Sequence, residues 1–447
     1  MQKQISLNPV ETAELQKQFL HSLKLGTGRA MLLLKAHPQI DFSAQILAAT
    51  VNNLAYDRQC EGSRAVYLYS LIKQSRQKDE LIRTIIKKFS AKKRNDYGMD
   101  QLSDLVLYFH HDGIAGAKKA LLKRFEKSFS NGYELYARDV LLEIEGMAGL
   151  IMAAEKVGQL PERERADYED RWRVDDFQKE NKSINVYAEL AKAAGQNPAI
   201  KNYLDLILLV EPRKKYRRSK IVPYTLADIE EIVDEDSRFA RFWQYRTEGM
   251  NPADIEQVAR NILTEKDNNK KNKYLRFFDK TKFPFDYAPL LELASKKNIK
   301  KNRRIMNAVN ALSYFKADDI RALALKKFSS EKTPWDYLRL LINNYQAGDA
   351  KILLEIIQRS DNFHHIHDLV AGLIDIFEAN PDAECKAPLE AMYYGMNCAM
   401  HRWSVIDLLN RNGVLSDEIV EELAYDTDED LRKLSRKIKL SRKIKAL

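Results

Sequence analysis

The sequence predicts an all-α protein built from amphipathic helices. Apolar residues recur at helical spacing through most of the 447 residues, and no convincing run alternates apolar and polar side chains as a half-buried strand would. Glycine (16) and proline (12) are scarce, whereas all-β and βαβ folds need more turn residues. Charged residues make up 31% and hydrophobic residues 45%, which is typical of a well-folded chain.

Two segments in the first third of the chain illustrate this periodicity. In KDELIRTIIKKFS, which starts at Lys78, the apolar residues fall on one helical face. In QLSDLVLYFHHDGIAGAKKALLKRF, which starts at Gln101, one apolar stripe ends at Phe109 and another follows the break at Asp112 and Gly113. The second segment therefore predicts two amphipathic helices joined by a tight turn.

A duplicated proline motif indicates that helix pairs recur. KFPFDYAPLL begins at Lys282 and KTPWDYLRLL at Lys332, an offset of 50 residues. Proline is tolerated in a first helical turn and aspartate favours the positive end of a helix, so both copies predict helix starts, with Thr333 as a cap. The tetrapeptide Lys-Lys-Phe-Ser at Lys87 and Lys326 predicts two helix ends. Helix pairs with a period of about 40–50 residues indicate an α-solenoid, because no pair buries its apolar stripe alone.

The segment HRWSVIDLLNRNGVLSDEIVEELAYDTDEDLRKL, from His401 to Leu434, resembles a HEAT-type repeat. It has an arginine-containing helix, a glycine-containing turn, a second helix and an acidic turn that leads to an arginine. The resemblance to the HEAT/armadillo-like superfamily covers residues 64–130 and 225–434. It implies a right-handed superhelix of antiparallel helix hairpins and no particular activity.

Composition divides the chain into four parts. Residues 1–210 are predicted to form an N-terminal helical array, 211–224 a basic linker loop, 225–430 a HEAT-like array, and 431–447 a basic tail. The net charge is +9, but the tail holds eight Lys/Arg residues and no acidic one, so the rest of the chain carries only +1. Residues 416–430 hold eight acidic residues, so we expect the tail to be solvated or to fold back on them; binding of an acidic partner is the alternative.

Two basic clusters are candidate binding sites. The linker sequence RKKYRR would contact phosphates while its tyrosine stacks on a base, or it is an ordinary solvated loop. A lysine-rich turn at residues 296–304 would form a positive track with the basic residues 87, 88 and 92–94, or these side chains are simply the solvated faces of helices. The candidate residues are Arg213, Lys214, Lys215, Tyr216, Arg217, Arg218, Lys296, Lys297, Lys300, Lys301, Arg303 and Arg304.

The histidine-rich sequence FHHIHD contains residue types that bind metals. On a helix, His364, His367 and Asp368 would lie within reach of one ion. No cysteine or further carboxylate pattern completes such a site, and the three cysteines form no CxxC pair or metal-ligand spacing. We therefore expect ordinary surface or core histidines, no metal and no cofactor, and free thiols that suit a reducing cytoplasm.

These features favour a non-enzymatic scaffold that docks a protein partner on the concave surface of a solenoid. The body is nearly neutral, and no phosphate loop, GxSxG, HExxH or kinase motif is present. Nucleic-acid binding through the basic clusters is the alternative, with HEAT-like alkylpurine DNA glycosylases as its enzymatic form; Trp335 and Asp336 would then be the aromatic and the carboxylate. The duplicate of that motif at residues 284–287 favours a repeat signature instead.

A membrane location and a small-molecule substrate are not expected. No apolar run reaches the roughly 18 residues that a membrane span needs, and the N-terminus has no apolar signal region. The tail repeats the hexamer LSRKIK, which turns the apolar residues of its two copies to opposite sides of a helix. An interfacial helix needs one continuous apolar face, so we do not expect the tail to bind a membrane. Because the sequence shows neither a membrane span nor a signal region, it predicts a cytoplasmic protein.

Overall fold

In a computed structural model, the described residues form helices and the loops between them, and no strand occurs among them. The structure describes residues 8–91, 97–128, 135–165, 168, 171–211, 221–235, 240–296, 302–331, 333–360 and 362–445. Over these ranges the prediction of an all-α protein is confirmed. None of the helices found there combines the length and the apolar composition that crossing a bilayer requires.

Tertiary contacts divide the chain into two compact units. Unit 1 comprises Met1–Arg217 together with Glu421–Leu447, and unit 2 comprises Arg218–Val420. The chain passes from unit 1 to unit 2 within residues 211–224, the segment that the sequence assigns to a linker. At the C-terminal end the two divisions differ, because the sequence groups residues 421–430 with the second array whereas their contacts lie in unit 1.

The α-helices are numbered in chain order. The first thirteen lie in unit 1: α1 (Pro9–Leu25), α2 (Arg29–Ala36), α3 (Ser43–Val51), α4 (Arg58–Glu61), α5 (Ala65–Gln74), α6 (Lys78–Ala91), α7 (Tyr97–His111), α8 (Ala117–Ser128), α9 (Leu135–Gly158), α10 (Glu162–Arg165), α11 (Arg171–Glu180), α12 (Val186–Ala194) and α13 (Pro198–Leu209). Unit 2 holds α14 (Leu226–Asp234), α15 (Gln244–Thr247), α16 (Pro252–Thr264), α17 (Asn268–Phe277), α18 (Ala288–Ser295), α19 (Arg303–Leu312), α20 (Asp318–Ser330), α21 (Asp349–Gln358), α22 (Phe363–Ala379), α23 (Lys386–Gly395) and α24 (Ala399–Arg411), with 3-10 helices at Pro334–Leu341 and Ala383–Cys385. The chain then returns to unit 1 through α25 (Asp417–Leu423) and ends with α26 (Glu429–Lys445).

The apolar stripes of the first third are buried in unit 1. Leu81, Ile85 and Phe89 of α6 face the core, as do Leu105 and Phe109 of α7. A turn in which two glycines have positive φ angles joins α7 to α8. The predicted pair of amphipathic helices is therefore confirmed.

The predicted helix ends at the Lys-Lys-Phe-Ser tetrapeptides are also confirmed. They occupy the last turns of α6 and α20, where Phe89 and Phe328 are buried. Lys327 is buried as well, and its Nζ donates to the Lys296 carbonyl oxygen at 2.9 Å. At the second copy, one lysine of the tetrapeptide therefore holds two segments together instead of facing solvent.

The duplicated proline motif does not form two equivalent α-helix starts. Pro284 lies before α18, which begins only at Ala288, whose backbone N–H donates to Asp286 Oδ1 at 2.7 Å. Pro334 begins a 3-10 helix, and the side chain of its N-cap residue, Thr333, makes no capping hydrogen bond. The predicted helix start is therefore confirmed at Pro334, where the helix is a 3-10 helix, whereas the start at Pro284 and the Thr333 cap are wrong.

Burial explains why the second copy adopts the 3-10 geometry. Tyr337 and Leu340 are fully buried and lie three residues apart, and so do Leu338 and Leu341. Side chains at positions i and i+3 eclipse in a 3-10 helix, so both pairs enter the core of unit 2 together. In an α-helix the same four residues would spread over a wider arc.

The C-terminal basic segment is helical and docks on unit 1. Leu431 and Ser435 are fully buried in α26, whereas Leu440 in the second copy of the hexamer is 60% exposed. Lys439 Nζ lies 2.8 Å from Glu421 Oε1, so the tail pairs with the acidic stretch that precedes it. Among the described residues, the first hexamer copy thus joins the core and the second remains at the surface.

A glycine turn between α1 and α2 receives this C-terminal segment. The Thr427 backbone N–H donates to the Gly26 carbonyl oxygen at 2.9 Å, and Arg29 Nη1 donates to Glu422 Oε1 at 3.0 Å. A Cβ on Gly28 would lie 1.8 Å from the Glu422 carbonyl oxygen. Glycine at this position therefore permits the two backbones to approach.

Asp104 on α7 makes the stability of unit 1 depend on pH. Burial raises the pKa of its carboxyl group from 3.8 to about 6; a hydrogen bond with Ser63 opposes this rise, and the negative charges of Asp100 and Glu143 add to it. Between these two values the folded state binds a proton that the unfolded chain has released, so stability falls as pH rises through this window. At pH 8, well above this pKa, the buried carboxylate is charged.

We expect Asp104→Asn to stabilise unit 1 at pH 8 and to flatten its pH dependence between pH 4 and 6. This rise in the pKa corresponds to a change of about 3 kcal/mol at most in the free energy of unfolding, and to less where solvent reaches the carboxyl group. Urea denaturation at pH 4.5 and pH 8 measures the effect, with the exposed Glu80→Gln on α6 as control. If Asp104→Asn is less stable than the unmodified protein at pH 8, its surroundings stabilise the charged carboxylate and the expectation is wrong.

Candidate functional site

Few of the basic residues predicted as binding sites fall within the described part of the chain. All six linker candidates at residues 213–218 lie outside it, and so do Lys297, Lys300 and Lys301. Lys296 is the C-cap of α18, with its Nζ 3.5 Å from Glu292 Oε1, and Arg303 and Arg304 begin α19. Two cations in the first turn of a helix oppose the helix dipole, so the fold itself does not favour them there.

The predicted positive track stays a prediction. Lys87 and Lys88 are exposed at the end of α6 in unit 1, whereas Lys296 and Arg303 are exposed in unit 2. Residues 92–94, which belong to the same prediction, lie outside the described residues.

A cluster of exposed apolar side chains lies in unit 2, close to its first helix. We call Ile221, Val222, Trp243 and Tyr245 the aromatic surface; they are 62%, 63%, 47% and 48% exposed. The rings of Trp243 and Tyr245 stack with centroids 5.9 Å apart and an interplanar angle of 22°. Single exposed apolar residues are ordinary, but two large aromatic rings that stack on each other at the surface are typical of a binding surface.

Hydrogen bonds hold the two segments of the aromatic surface side by side. The Tyr224 backbone N–H donates to the Arg246 carbonyl oxygen at 2.8 Å, and Arg246 Nε donates to the Val222 carbonyl oxygen at 3.0 Å. The Trp243 backbone N–H donates to the Tyr224 hydroxyl at 3.3 Å. Phe242 points into the core while Trp243 points outward, so the exposed ring stands on an anchored backbone.

Arg246 also sets the electrostatics beside the aromatic surface. Its guanidinium lies 3.9 Å from the centroid of the Tyr224 ring and 3.6 Å from Asp228 Oδ2. Hydrogen bonds from Thr225 to the Asp228 carboxylate, with Arg246 nearby, hold the pKa of Asp228 below its usual range. Thr225 and Asp228 form the capping box of α14, which stabilises the start of the helix that follows residues 221 and 222.

The structure brings one histidine of the FHHIHD segment close to two residues from a later part of the chain. His367 on α22 lies beside Cys398 and His401, which stand at the start of α24. This group includes neither His364 nor Asp368. Burial lowers the pKa of His401, and the neighbouring His367 lowers it further. The spacing Cys398-x2-His401 was the sequence signal that could have pointed to this group.

The two residues of the glycosylase alternative make local contacts. The ring of Trp335 packs against His365 with centroids 4.5 Å apart, and its indole nitrogen is buried. Asp336 Oδ2 accepts a hydrogen bond from the Thr333 hydroxyl at 2.7 Å. The Asp336 contact lies within the start of the 3-10 helix, and the Trp335 ring packs against α22.

Comparison with known proteins leaves the geometry as the basis for a functional conclusion. No protein-family model matches the chain, and no match is found among the curated proteins or the solved structures.

Proposed function

We propose that this protein is a non-enzymatic helical-repeat scaffold whose aromatic surface docks a protein partner. The observation that carries the proposal is the stacked, half-exposed pair of Trp243 and Tyr245 on a hydrogen-bonded backbone. The few residues that dominate the binding energy of protein interfaces are enriched in tryptophan, tyrosine and arginine. An anchored aromatic pair loses little conformational freedom on binding, which favours affinity.

A HEAT/armadillo-like α-solenoid is the arrangement that we propose for the helices. Helices that follow one another in the chain pack together within each unit, as α12 does with α13, α16 with α17, α18 with α19, and α23 with α24. Stacked helix pairs of this kind present long surfaces for macromolecular partners. The three cysteines, all free, suit a cytoplasmic protein.

Charges of both signs surround the aromatic surface in the sequence. Arg241 is exposed two residues before Trp243, and the basic linker residues 213–218 precede Ile221 in the chain. Residues 221–250 hold seven acidic and three basic residues, so we expect the partner to dock mainly through apolar contacts with the aromatic pair.

Nucleic-acid binding remains the second candidate, because stacked aromatic rings beside basic residues also suit unpaired bases. The two candidates differ in their response to salt. Contacts with phosphates weaken steeply as salt rises, because bound counterions are released. Docking through buried aromatic anchors weakens much less.

We expect the double variant Trp243→Ala/Tyr245→Ala to lose a protein that the tagged full-length chain captures from lysate. The captured protein would be identified, purified and titrated against the full-length chain, with an expected loss of affinity of at least about thirtyfold, or 2 kcal/mol. Trp403→Ala is the matched control, because Trp403 is 42% exposed on α24 of the same unit. Equal binding by both variants would contradict the proposal.

The same titrations over a salt series distinguish the two candidates. Labelled single-stranded and duplex DNA and RNA replace the purified protein in parallel measurements. Binding of a nucleic acid that needs Trp243 and Tyr245 and falls steeply with salt would replace the protein-docking proposal by the second candidate.

A further inference from the structure

The start of α24 presents two metal-binding residue types on one side. Cys398 is the N-cap of this helix and His401 is its third residue. N-cap and third-residue side chains lie close together, which is the spacing that lets them bond reciprocally in capping boxes. Cys398 makes no capping bond with the helix backbone, so its sulfur is not used in that way.

Helix α22 brings a second imidazole to this pair. Ile366, the neighbour of His367, packs within 4 Å of the site where a Cβ on Gly395 would lie, so the end of α23 meets α22 here. The chain continues from Gly395 into Cys398, which is only 4% exposed. The His367 and His401 rings meet edge to face with centroids 4.6 Å apart.

One nitrogen from each histidine and the Cys398 sulfur all lie within 4.8 Å of one another. In a tetrahedral site with Zn–S of about 2.3 Å and Zn–N of about 2.0–2.1 Å, donor atoms are separated by about 3.5 Å. Small side-chain rotations would close that difference. The three donors come from three separate chain positions, so their convergence is a product of the fold.

Two buried polar atoms in this region are unused among the described residues. His401 Nδ1 and the side-chain oxygen of Asn397, the residue before Cys398, are both buried and make no hydrogen bond. Buried polar atoms are almost always hydrogen-bonded, and a bound ion or water commonly accounts for one that has no hydrogen bond within the protein. The imidazole nitrogen of His401, the amide oxygen of Asn397 and the deprotonated thiol of Cys398 are each able to bind a metal ion.

We propose that His367, Cys398 and His401 bind one zinc ion. Imidazole and thiolate are the donors that zinc prefers, whereas magnesium and calcium take oxygen ligands. Binding replaces the thiol proton of Cys398 by the metal: the S–H bond breaks, a Zn–S bond forms, and the proton leaves to solvent without electron transfer. With three protein ligands, the fourth position is open to water or to the Asn397 oxygen. This site is independent of the aromatic surface.

Cobalt(II) titration of the metal-free full-length protein tests the site, because Co²⁺ in a tetrahedral thiolate site absorbs in the near-ultraviolet and visible ranges. We expect one Co²⁺ per chain, with a sulfur-to-cobalt band that added Zn²⁺ removes. Cys398→Ser is expected to abolish the band. His367→Gln and His401→Gln are each expected to weaken binding by more than about 100-fold, the upper end of what loss of an outer-sphere partner causes.

The other two cysteines provide matched controls. Cys60 is exposed and Cys385 is buried, and neither belongs to the proposed site. Cys60→Ser and Cys385→Ala are expected to retain the band and the affinity. Far-ultraviolet circular dichroism of each metal-free variant confirms that it is folded before titration.

Three results would overturn the zinc proposal. These are no thiolate band in the unmodified protein, a band that persists in folded Cys398→Ser, or a band that disappears in Cys60→Ser or Cys385→Ala. If one histidine variant fails to fold, Cys398→Ser, which changes only the sulfur atom, still decides the question.

Discussion

Replacing Gly28 with alanine is expected to destabilise unit 1 by about 3 kcal/mol and to loosen the C-terminal segment from it. Gly28 has φ −66° and ψ −8°, so the backbone conformation suits alanine and only space is at issue. The new Cβ would lie 1.8 Å from the Glu422 carbonyl oxygen and 3.0 Å from Tyr425 Cβ. Since the nearest atom belongs to the backbone, the whole segment must move away.

Urea denaturation measures the lost stability, and amide hydrogen exchange of α26 measures the loosening. Leu431 and Ser435 are fully buried in α26, so their region is expected to exchange faster once Glu422 is displaced. Arg29 Nη1 would also lose its 3.0 Å contact with Glu422 Oε1.

Gly195→Ala is the matched control for Gly28→Ala. Gly195 has a similar conformation, φ −64° and ψ −19°, at the end of α12, and the nearest atom to a Cβ there is a carbonyl oxygen at 3.4 Å. Alanine is expected to be neutral or to stabilise by up to about 1 kcal/mol at such a site. Equal losses at both positions would mean that the contact with Glu422 does not require glycine.

Replacing Arg321 with methionine is expected to destabilise unit 2 by about 3–5 kcal/mol. The two guanidinium nitrogens of Arg321 donate to the two carboxylate oxygens of Asp349, at 2.5 Å and 2.7 Å. Asp349 is 2% exposed, so the substitution leaves a buried carboxylate without its counter-charge. The Arg321 hydrogen bond to the Asn344 carbonyl oxygen at 2.9 Å is lost as well.

A second substitution separates the unpaired charge from the lost contacts. Asp349→Asn in the Arg321→Met background removes the charge and keeps an oxygen for the Gln346 backbone N–H, which Asp349 now accepts at 2.8 Å. The double variant is expected to recover about half of the lost stability. Denaturation curves of all three variants give this comparison.

Arg359→Met controls for the loss of an arginine as such. Arg359 Nη2 lies 3.4 Å from Glu355 Oε2, but both side chains are at least 49% exposed. An exposed pair of this kind contributes about 0.2–1 kcal/mol. A loss at Arg321 no greater than the loss at Arg359 would show that the buried pair is not a major source of stability.

Local sequence patterns predicted the helices well where one apolar face repeats over several turns. The stripe of α6 and the turn between α7 and α8 are both in place, because spacing of three and four residues decides which side chains share a helical face. At Pro334 the sequence predicted a helix start, and the helix that begins there is a 3-10 helix. Its apolar residues recur every three positions, and burial of two such pairs favoured the 3-10 helix.

The candidate sites were harder to predict from the sequence. The aromatic surface joins residues 221–222 to residues 243–245 through hydrogen bonds of Tyr224 and Arg246, and no short motif describes that pairing. The zinc-site candidates Cys398 and His401 do carry a local signal in their spacing. His367 lies 31 residues before Cys398, and only the packing of α22 against the following helices brings it there.

The sequence by itself determined that the chain is helical, where several helices end, and that its basic tail has an acidic stretch to pair with. Each of these depends on neighbours within a few turns, so it leaves a periodic or compositional pattern. The tertiary structure alone decided that the C-terminal segment belongs to unit 1 and rests on Gly26 and Gly28. That contact joins residues 393 positions apart, as in the pair of Arg29 and Glu422, and close packing of two distant backbones leaves no periodic trace.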